Sequence, residues 1–301
     1  MHLTVAMLGD SEFFSKFGKS GTINDLSIRN QAESGNVVTF VAPNSDRIQG
    51  IIQALAMADY PVLIANEITP ALGEMIIAIG EAGFDRGLFV TDYYEDKLRA
   101  LAYDYPCAAF DFTKKDEKLV REKILNFKPN HPSDPLIIPI DNYFPVKGVG
   151  TVVLGLVKSG QAKQYDKLTI YPTKNEITVK SMQSQDEDVK QTEPGQRIGL
   201  ALKGVETDEL KRGYVISNRE MKCAKSLQLD LKKSKYSKFD IAEGKRLFVC
   251  IGLQCISGEI KSVYENKITV ELDSEIAIYQ KRCILASADS MPRIVGHGIF
   301  V

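Results

Sequence analysis

The chain has 301 residues, 44% of them hydrophobic, with 38 basic against 39 acidic side chains and a net charge of −1. That length exceeds one compact domain and predicts two or three, while the neutral balance excludes a protein held to nucleic acid by a global field and confines any RNA contact to a local patch. Nothing approaches the roughly 20 apolar residues of a membrane span, and Met1-His2-Leu3-Thr4-Val5 lacks the basic start of a secretory leader, so the expectation is a cytoplasmic protein with no membrane partner and no DNA partner.

Leu3 to Leu8 reads as a buried strand ending at Gly9-Asp10, as the first strand of a doubly wound domain meets a phosphate loop. A phosphate loop needs Gly-x-x-x-x-Gly-Lys-Ser/Thr so that backbone N–H groups cradle the phosphates while lysine and hydroxyl reach phosphate and metal. Here Phe14 and Ser15 fall where the second glycine and the lysine belong. A displaced Gly18-Lys19-Ser20-Gly21-Thr22 follows, with eight residues between it and Gly9. It reads first as a glycine-rich surface turn ahead of a helix or strand; the rival reading is a remodelled loop for GTP and magnesium.

Asn36 to Ala42 is a further strand, followed by Pro43-Asn44-Ser45. Ile48, Ile51, Ile52 and Leu55 repeat at helical spacing within Arg47 to Met57, and Leu72, Ile76, Ile77 and Ile79 form the apolar side of a second helix, Pro70 to Glu81. Tyr60 to Asn66, Leu88 to Asp92 and Asp111 to Thr113 read as strands, and Asp116 to Phe127 as a charged helix. Residues 1–128 are thus expected to form a doubly wound α/β domain. Three prolines between Lys128 and Pro135 mark a stiff linker over 129–135.

The pattern then turns all-β. Leu136 to Ile140, Thr151 to Val157, Lys167 to Pro172 and Glu176 to Met182 read as strands of a β-barrel over 136–220, with Gly148 and Gly150 in a turn and Gly155 marking a bulge or close approach inside its strand. Leu247 to Leu253, Cys255 to Ile260, Lys267 to Leu272 and Cys283 to Ser287 predict a second barrel over 221–301. The lysine cluster Lys232 to Phe239, with Tyr236 and Phe239 between the charges, has a composition suited to an RNA backbone or to a loop. Five scattered cysteines, Cys107, Cys223, Cys250, Cys255 and Cys283, and three histidines make no zinc pattern; no metal is expected, and the thiols read as reduced core residues.

Gly148-Val149-Gly150-Thr151-Val152-Val153-Leu154-Gly155, then Pro194-Gly195-Gln196-Arg197-Ile198-Gly199 and Glu209-Leu210-Lys211-Arg212-Gly213, resemble in order and spacing the second domain of translational GTPases, the family of elongation factor Tu and archaeal SelB. Pro292-Arg293-Ile294-Val295-Gly296-His297-Gly298 is similar to the end of that family's third domain. The resemblance implies a G-like domain followed by two barrels, and a tRNA ligand, with another RNA or the ribosome as further candidates. It implies that Lys211 and Arg212 contact the acceptor end of tRNA, and that Asp141 and Arg197 line a pocket for the esterified amino acid, although an internal salt bridge would look the same. Against the family pattern, Val41, Asn44 and Ser45 replace the Asp, Gly and His of the strand that organises magnesium and water, and Thr91, Asp92 and Tyr94 stand where guanine would be read. The 32 positions from Gly9 to Val41 leave little room for the family's first switch. The expectation is a SelB-like elongation factor homologue that binds aminoacyl-tRNA, in recoding or elsewhere, with no catalytic residue and no cofactor. Its rivals are a GTPase working through Gly18, Lys19 and Ser20, and a protein-docking paralogue. SelB's extra C-terminal domain is expected to be absent.

Overall fold

The computed structural model describes residues 1–33 and 35–301. The first part runs β1 (His2–Leu8), α1 (Ser11–Ser15), β2 (Lys19–Ile23), β3 (Leu26–Glu33), β4 (Asn36–Pro43), α2 (Ile48–Met57), β5 (Tyr60–Ile64), α3 (Pro70–Ala82), β6 (Leu88–Val90), α4 (Glu95–Ala102), β7 (Asp111–Thr113) and α5 (Glu117–Asn126). Its sheet has the order β2-β3-β4-β1-β5-β6-β7, with β4, β1, β5, β6 and β7 parallel and the β2–β3 hairpin added antiparallel at one edge. The central parallel strand β1 is largely apolar because both its faces are covered: Val5, Ala6, Met7 and Leu8 are all buried. α3 has explicit stops, the Thr69 hydroxyl accepting from Leu72 N–H at 3.2 Å, Pro70 in the first turn and Gly83 left-handed at the end.

Four elements here, α1, β2, β3 and α4, escape the sequence pattern. α4 buries only Leu98 and Ala102, a single i, i+4 pair among charged residues, too short a stripe to read. Gly18 makes a left-handed turn with a φ of +62° just ahead of β2, and Lys19 and Ser20 open that strand and pair with Asn30 and Arg29 of β3. Their side chains are exposed, so no alternation of apolar residues announced the strand.

No helix or strand lies between α5 and β8 (Ile137–Val146). The strands that follow are β9 (Gly150–Leu156), β10 (Lys167–Tyr171), β11 (Asn175–Ser184), β12 (Glu187–Val189), β13 (Arg197–Lys203) and β14 (Val215–Ser217). The order β10-β14-β8-β9-β13-β11 is closed by a β10–β11 pairing into a six-stranded barrel, with β12 attached to β11. Gly155 is where the sequence pointed to close approach: a Cβ there would lie 2.7 Å from both Ile138 Cγ2 and Pro139 O. The same β8–β9 pairing carries a bulge at Asp141, between the Ile140–Gly155 and Asn142–Leu154 pairs.

β15 (Lys222–Lys233), β16 (Arg246–Ile251), β17 (Gln254–Tyr264), β18 (Lys267–Ile278), β19 (Arg282–Ala286) and β20 (Ile294–Phe300) form a second closed barrel. Here two cysteines depart from the expectation of reduced thiols: Cys250 and Cys255 form a disulfide, while Cys107, Cys223 and Cys283 are free. The reason lies in the hairpin, where Ile251 faces Gln254 around a two-residue loop and Cys250 faces Cys255 one step further. That second step is the non-hydrogen-bonded kind, in which Cα atoms come closest; these are 4.1 Å apart.

The α/β part and the second barrel are joined through buried charges. Glu74 and Glu81, two turns apart on α3, are 2% and 6% exposed. Glu74 accepts from Arg293 N–H at 2.6 Å and from its guanidinium at 3.0 and 3.1 Å, and His297 Nδ1 lies 2.7 Å from Glu81. The lysine cluster belongs to this seam. Lys235 forms an ion pair with Asp104, Tyr236 donates to the same carboxylate at 3.0 Å, and Ser234 Oγ sits 2.9 Å from the Tyr105 hydroxyl. Lys235 and Tyr236, read as partners for RNA, are thus held by the α/β part. From the first barrel, Lys158 donates at 3.2 Å to Met57 O in the last turn of α2. Among the described residues no helix is long and apolar enough to cross a membrane.

Candidate functional site

Two places in the α/β part are built from charge. The first is the C-terminal edge of the parallel strands, where α/β sheets receive ligands. Gly9 holds a φ of +94° there, and a Cβ would lie 2.2 Å from Ile64 O, so the chain leaves β1 by a path only glycine allows. Asp10 then turns its carboxylate inward. It accepts from Phe13 N–H at 2.7 Å and Asn66 Nδ2 at 2.7 Å, and pairs with Lys115 at 2.6 Å. Burial pushes the Asp10 carboxyl up, but the bonds from Lys115, Phe13 and Asn66 outweigh it and hold the group down at about 2. A fixed anion of the chain itself thus occupies the helix start and takes the nearby lysine. Thr91 and Asp92 are likewise engaged: Thr91 Oγ1 accepts from Tyr94 N–H at 3.1 Å, and Asp92 accepts from Lys115 N–H at 3.1 Å.

The second place is a cleft of about 1130 Å³ between the β2–β3 hairpin and the first barrel. Lys16, Lys19 and Arg121 line the α/β wall; Phe144, Met182 and Arg197 are among the residues opposite. Thr22 lines it toward the tip of the hairpin. Arg197 grips Asp141 with both arms, at 2.8 and 3.1 Å, and donates to Thr22 Oγ1 at 3.0 Å. Asp141 is fully buried, aimed out of the ladder by its bulge, so the pair is an internal salt bridge that also holds the hairpin. Asn24 reaches toward Asp141 O at 3.5 Å, and Asp25 takes Arg212 at 3.1 Å.

The sequence candidates therefore gather unevenly. Asp141 and Arg197 meet, Arg212 joins them at the hairpin tip, and Gly18, Lys19 and Ser20 line the same cleft from the α/β side. Arg212 is not the free surface cation expected: its side chain is 17% exposed, and Nε and Nη2 are buried without a hydrogen-bond partner. Burial pulls it below the usual arginine range, against the opposing pull of Asp25 and Asp141. Lys211 beside it stays exposed. Sequence reasoning missed Asn24 and Asp25 and did not see Thr22 as a partner of Arg197; the available signal was Asn24-Asp25 as a turn dipeptide between two short strands.

A second cavity, about 440 Å³, opens between the α/β part and the second barrel, lined by Asp25, Arg47, Gln53, Cys255 and Arg293 among others. Gly213 of the first barrel packs against the second barrel so closely that a Cβ there would lie 2.8 Å from Gln254 N.

Comparison with known proteins places this geometry. Residues 150–217 match the family model of elongation factor Tu domain 2. Over 304 aligned residues, 98% of each chain, the sequence is 36% identical to an uncharacterized protein of Methanocaldococcus jannaschii. It is 35% identical over 127 residues to the selenocysteine-specific elongation factor of the same organism, an alignment covering 42% of this chain but 27% of that factor. Among solved structures, elongation factor SelB of Methanococcus maripaludis in complex with the GTP analogue GPPNHP superimposes with a TM-score of 0.80 at 16% identity, over 99% of this chain and 78% of the other.

Proposed function

We infer the function from one premise: this chain belongs to the translational GTPase family of elongation factor Tu and SelB. On that footing we propose a factor that holds the acceptor end of an aminoacylated tRNA in the cleft between the β2–β3 hairpin and the first barrel, and that does so without a GTP cycle. The observation that carries this reading is Asp10. Phosphate recognition at a strand-to-helix turn needs free N–H groups and a free lysine around an empty centre, and here a carboxylate fills that centre and engages Phe13 N–H and Lys115. A second anion placed against a carboxylate this strongly held in its charged form is repelled.

Supporting the ligand end of the proposal, the cleft has a volume of about 1130 Å³, with Lys16 and Lys19 on one wall and apolar side chains such as Phe144 and Met182 on the other. Backbone contacts to such a chain are mainly electrostatic, so affinity falls with added salt. The remodelled-loop GTPase has no comparable support: Lys19 and Ser20 lie in an edge strand, whose N–H groups point alternately to either side rather than converging on one phosphate.

The test is a pair of titrations on the full chain, one with a fluorescent GTP analogue and GDP in magnesium, the other with aminoacylated and deacylated tRNA at low salt. No nucleotide binding to millimolar ligand together with salt-sensitive tRNA binding is the expected outcome. Magnesium-dependent nucleotide binding overturns the Asp10 argument, and failure to bind any tRNA overturns the ligand.

A further inference from the structure

The Cys250–Cys255 disulfide sits where it gains little for global stability. It spans only five positions of sequence, and cross-links stabilise mainly by restricting the unfolded chain, least for the shortest loops. The ladder on either side already fixes the strands, from Arg246–Glu259 to Ile251–Gln254. Its neighbours are more telling. The bond joins the two strands at the base of the 251–254 turn, and all three parts of the molecule lean on that turn. Gln53 of α2 donates to Leu253 O at 2.9 Å, and the Gly213 backbone, next to Arg212, packs against Leu253 and Gln254. Gln254 is itself buried and bonded both ways to Ala277 at 2.9 Å. The two sulfur-bearing residues also line different cavities along α2: Cys250 one of about 200 Å³ with Ile52 and Leu55, and Cys255 the one of about 440 Å³ with Arg47 and Gln53. Cys250 is 2% exposed, whereas Cys255 is half-buried against that open cavity.

We propose that this disulfide is a reducible staple that sets how firmly the 251–254 turn holds α2 and the Arg212 turn, so that a dithiol reductant loosens the junction of the three parts. A thiolate of the reductant attacks Sγ of Cys255, the accessible sulfur; the S–S bond breaks and Cys250 Sγ leaves as a thiolate that takes up a proton. The reductant's second thiol then attacks the mixed disulfide, freeing Cys255 as a thiol and leaving the reductant as its own disulfide. Two electrons and two protons pass to the protein. The turn then keeps its backbone ladder but loses the covalent tie at its base, and Leu253 and Gln254 gain freedom against Gln53 and Gly213.

The experiment uses the full chain purified without reductant. Alkylation after unfolding should label three cysteines, Cys107, Cys223 and Cys283, and five after dithiothreitol. Hydrogen exchange should then rise about threefold or more on reduction at residues 47–57 and 211–214, with β1 and β5 unchanged. The Cys250→Ala/Cys255→Ala variant should exchange at the reduced rate with or without dithiothreitol. Five labelled cysteines in the untreated protein, or identical exchange at residues 47–57 and 211–214 in oxidised and reduced wild-type protein, overturns the proposal; should the variant not fold, the wild-type comparison decides alone.

Discussion

The two charged places of the α/β part solve opposite problems with the same residue types. At the C-terminal edge of the sheet, Asp10 takes up Lys115, Asn66 and Phe13 N–H. At the hairpin, Asp141 is spent on Arg197, yet Lys16 and Lys19 still face a cleft of about 1130 Å³. The difference teaches that a ligand site is recognised less by its charges than by what they are already bound to. One region is self-sufficient, and the other has built its frame and left its wall open.

The largest expected effect comes from breaking that frame. Arg197→Ala strands the fully buried Asp141 carboxylate and frees Thr22; removing one partner of a buried pair costs about 3–5 kcal/mol, measured by urea unfolding, and tRNA affinity should fall with it. A loss under about 1 kcal/mol would mean the hairpin is not held there. Next comes Asp10→Asn, which keeps the shape but removes the charge from Lys115 and Phe13; charge-assisted bonds of this kind are worth about 1.5–3 kcal/mol. Because the folded carboxyl sits at about 2, below its ordinary value near 3.9, its contribution is present above about pH 4 and lost as pH falls through 2. The variant should therefore show a flatter stability curve between pH 4 and pH 2, and an unchanged slope there would remove Asp10 from the account. Lys19→Ala acts on the open wall: tRNA binding should weaken about fivefold and the salt slope should drop by about one, with stability untouched. If the residue instead serves a nucleotide, the same variant abolishes GTP turnover. The smallest effect is Asp25→Ala, which releases Arg212 from a carboxylate that is 66% exposed; stability should change by less than about 1 kcal/mol. Tighter tRNA binding in that variant, lost again when Arg212→Ala is added, would show that Asp25 competes with RNA for the arginine.

Legibility followed the same line. The barrel entry was readable because glycine was forced: Gly155 has no room for a Cβ, and Gly148 and Gly150 hold left-handed turns. The inner parallel strands β1, β5 and β6 announced themselves through nearly unbroken runs of buried residues. The β2–β3 hairpin did not, since Lys19, Ser20 and Gly21 are exposed and carry no apolar alternation. Arg212 was visible as a charge, but its burial under Asp25 depends on residues 187 positions apart. Glu74 and Glu81 fell within a helix read correctly from its apolar side, and nothing local said that Arg293 and His297 would cover them. The disulfide was the near miss: two readable strands around Ile251-Gly252-Leu253-Gln254 already set Cys250 opposite Cys255.

The lysine that reaches across to the end of α2 has a consequence for how the molecule assembles. Met57 O is one of the last carbonyls of that helix, groups a helix cannot satisfy from within, and its partner is Lys158, contributed about a hundred positions later in the chain. The α/β part made alone should therefore carry a frayed last turn on α2 until the first barrel has folded beside it. Synthesis order and folding order then differ: the first segment to emerge is finished by the second, and heating should melt the two as one calorimetric event rather than in sequence.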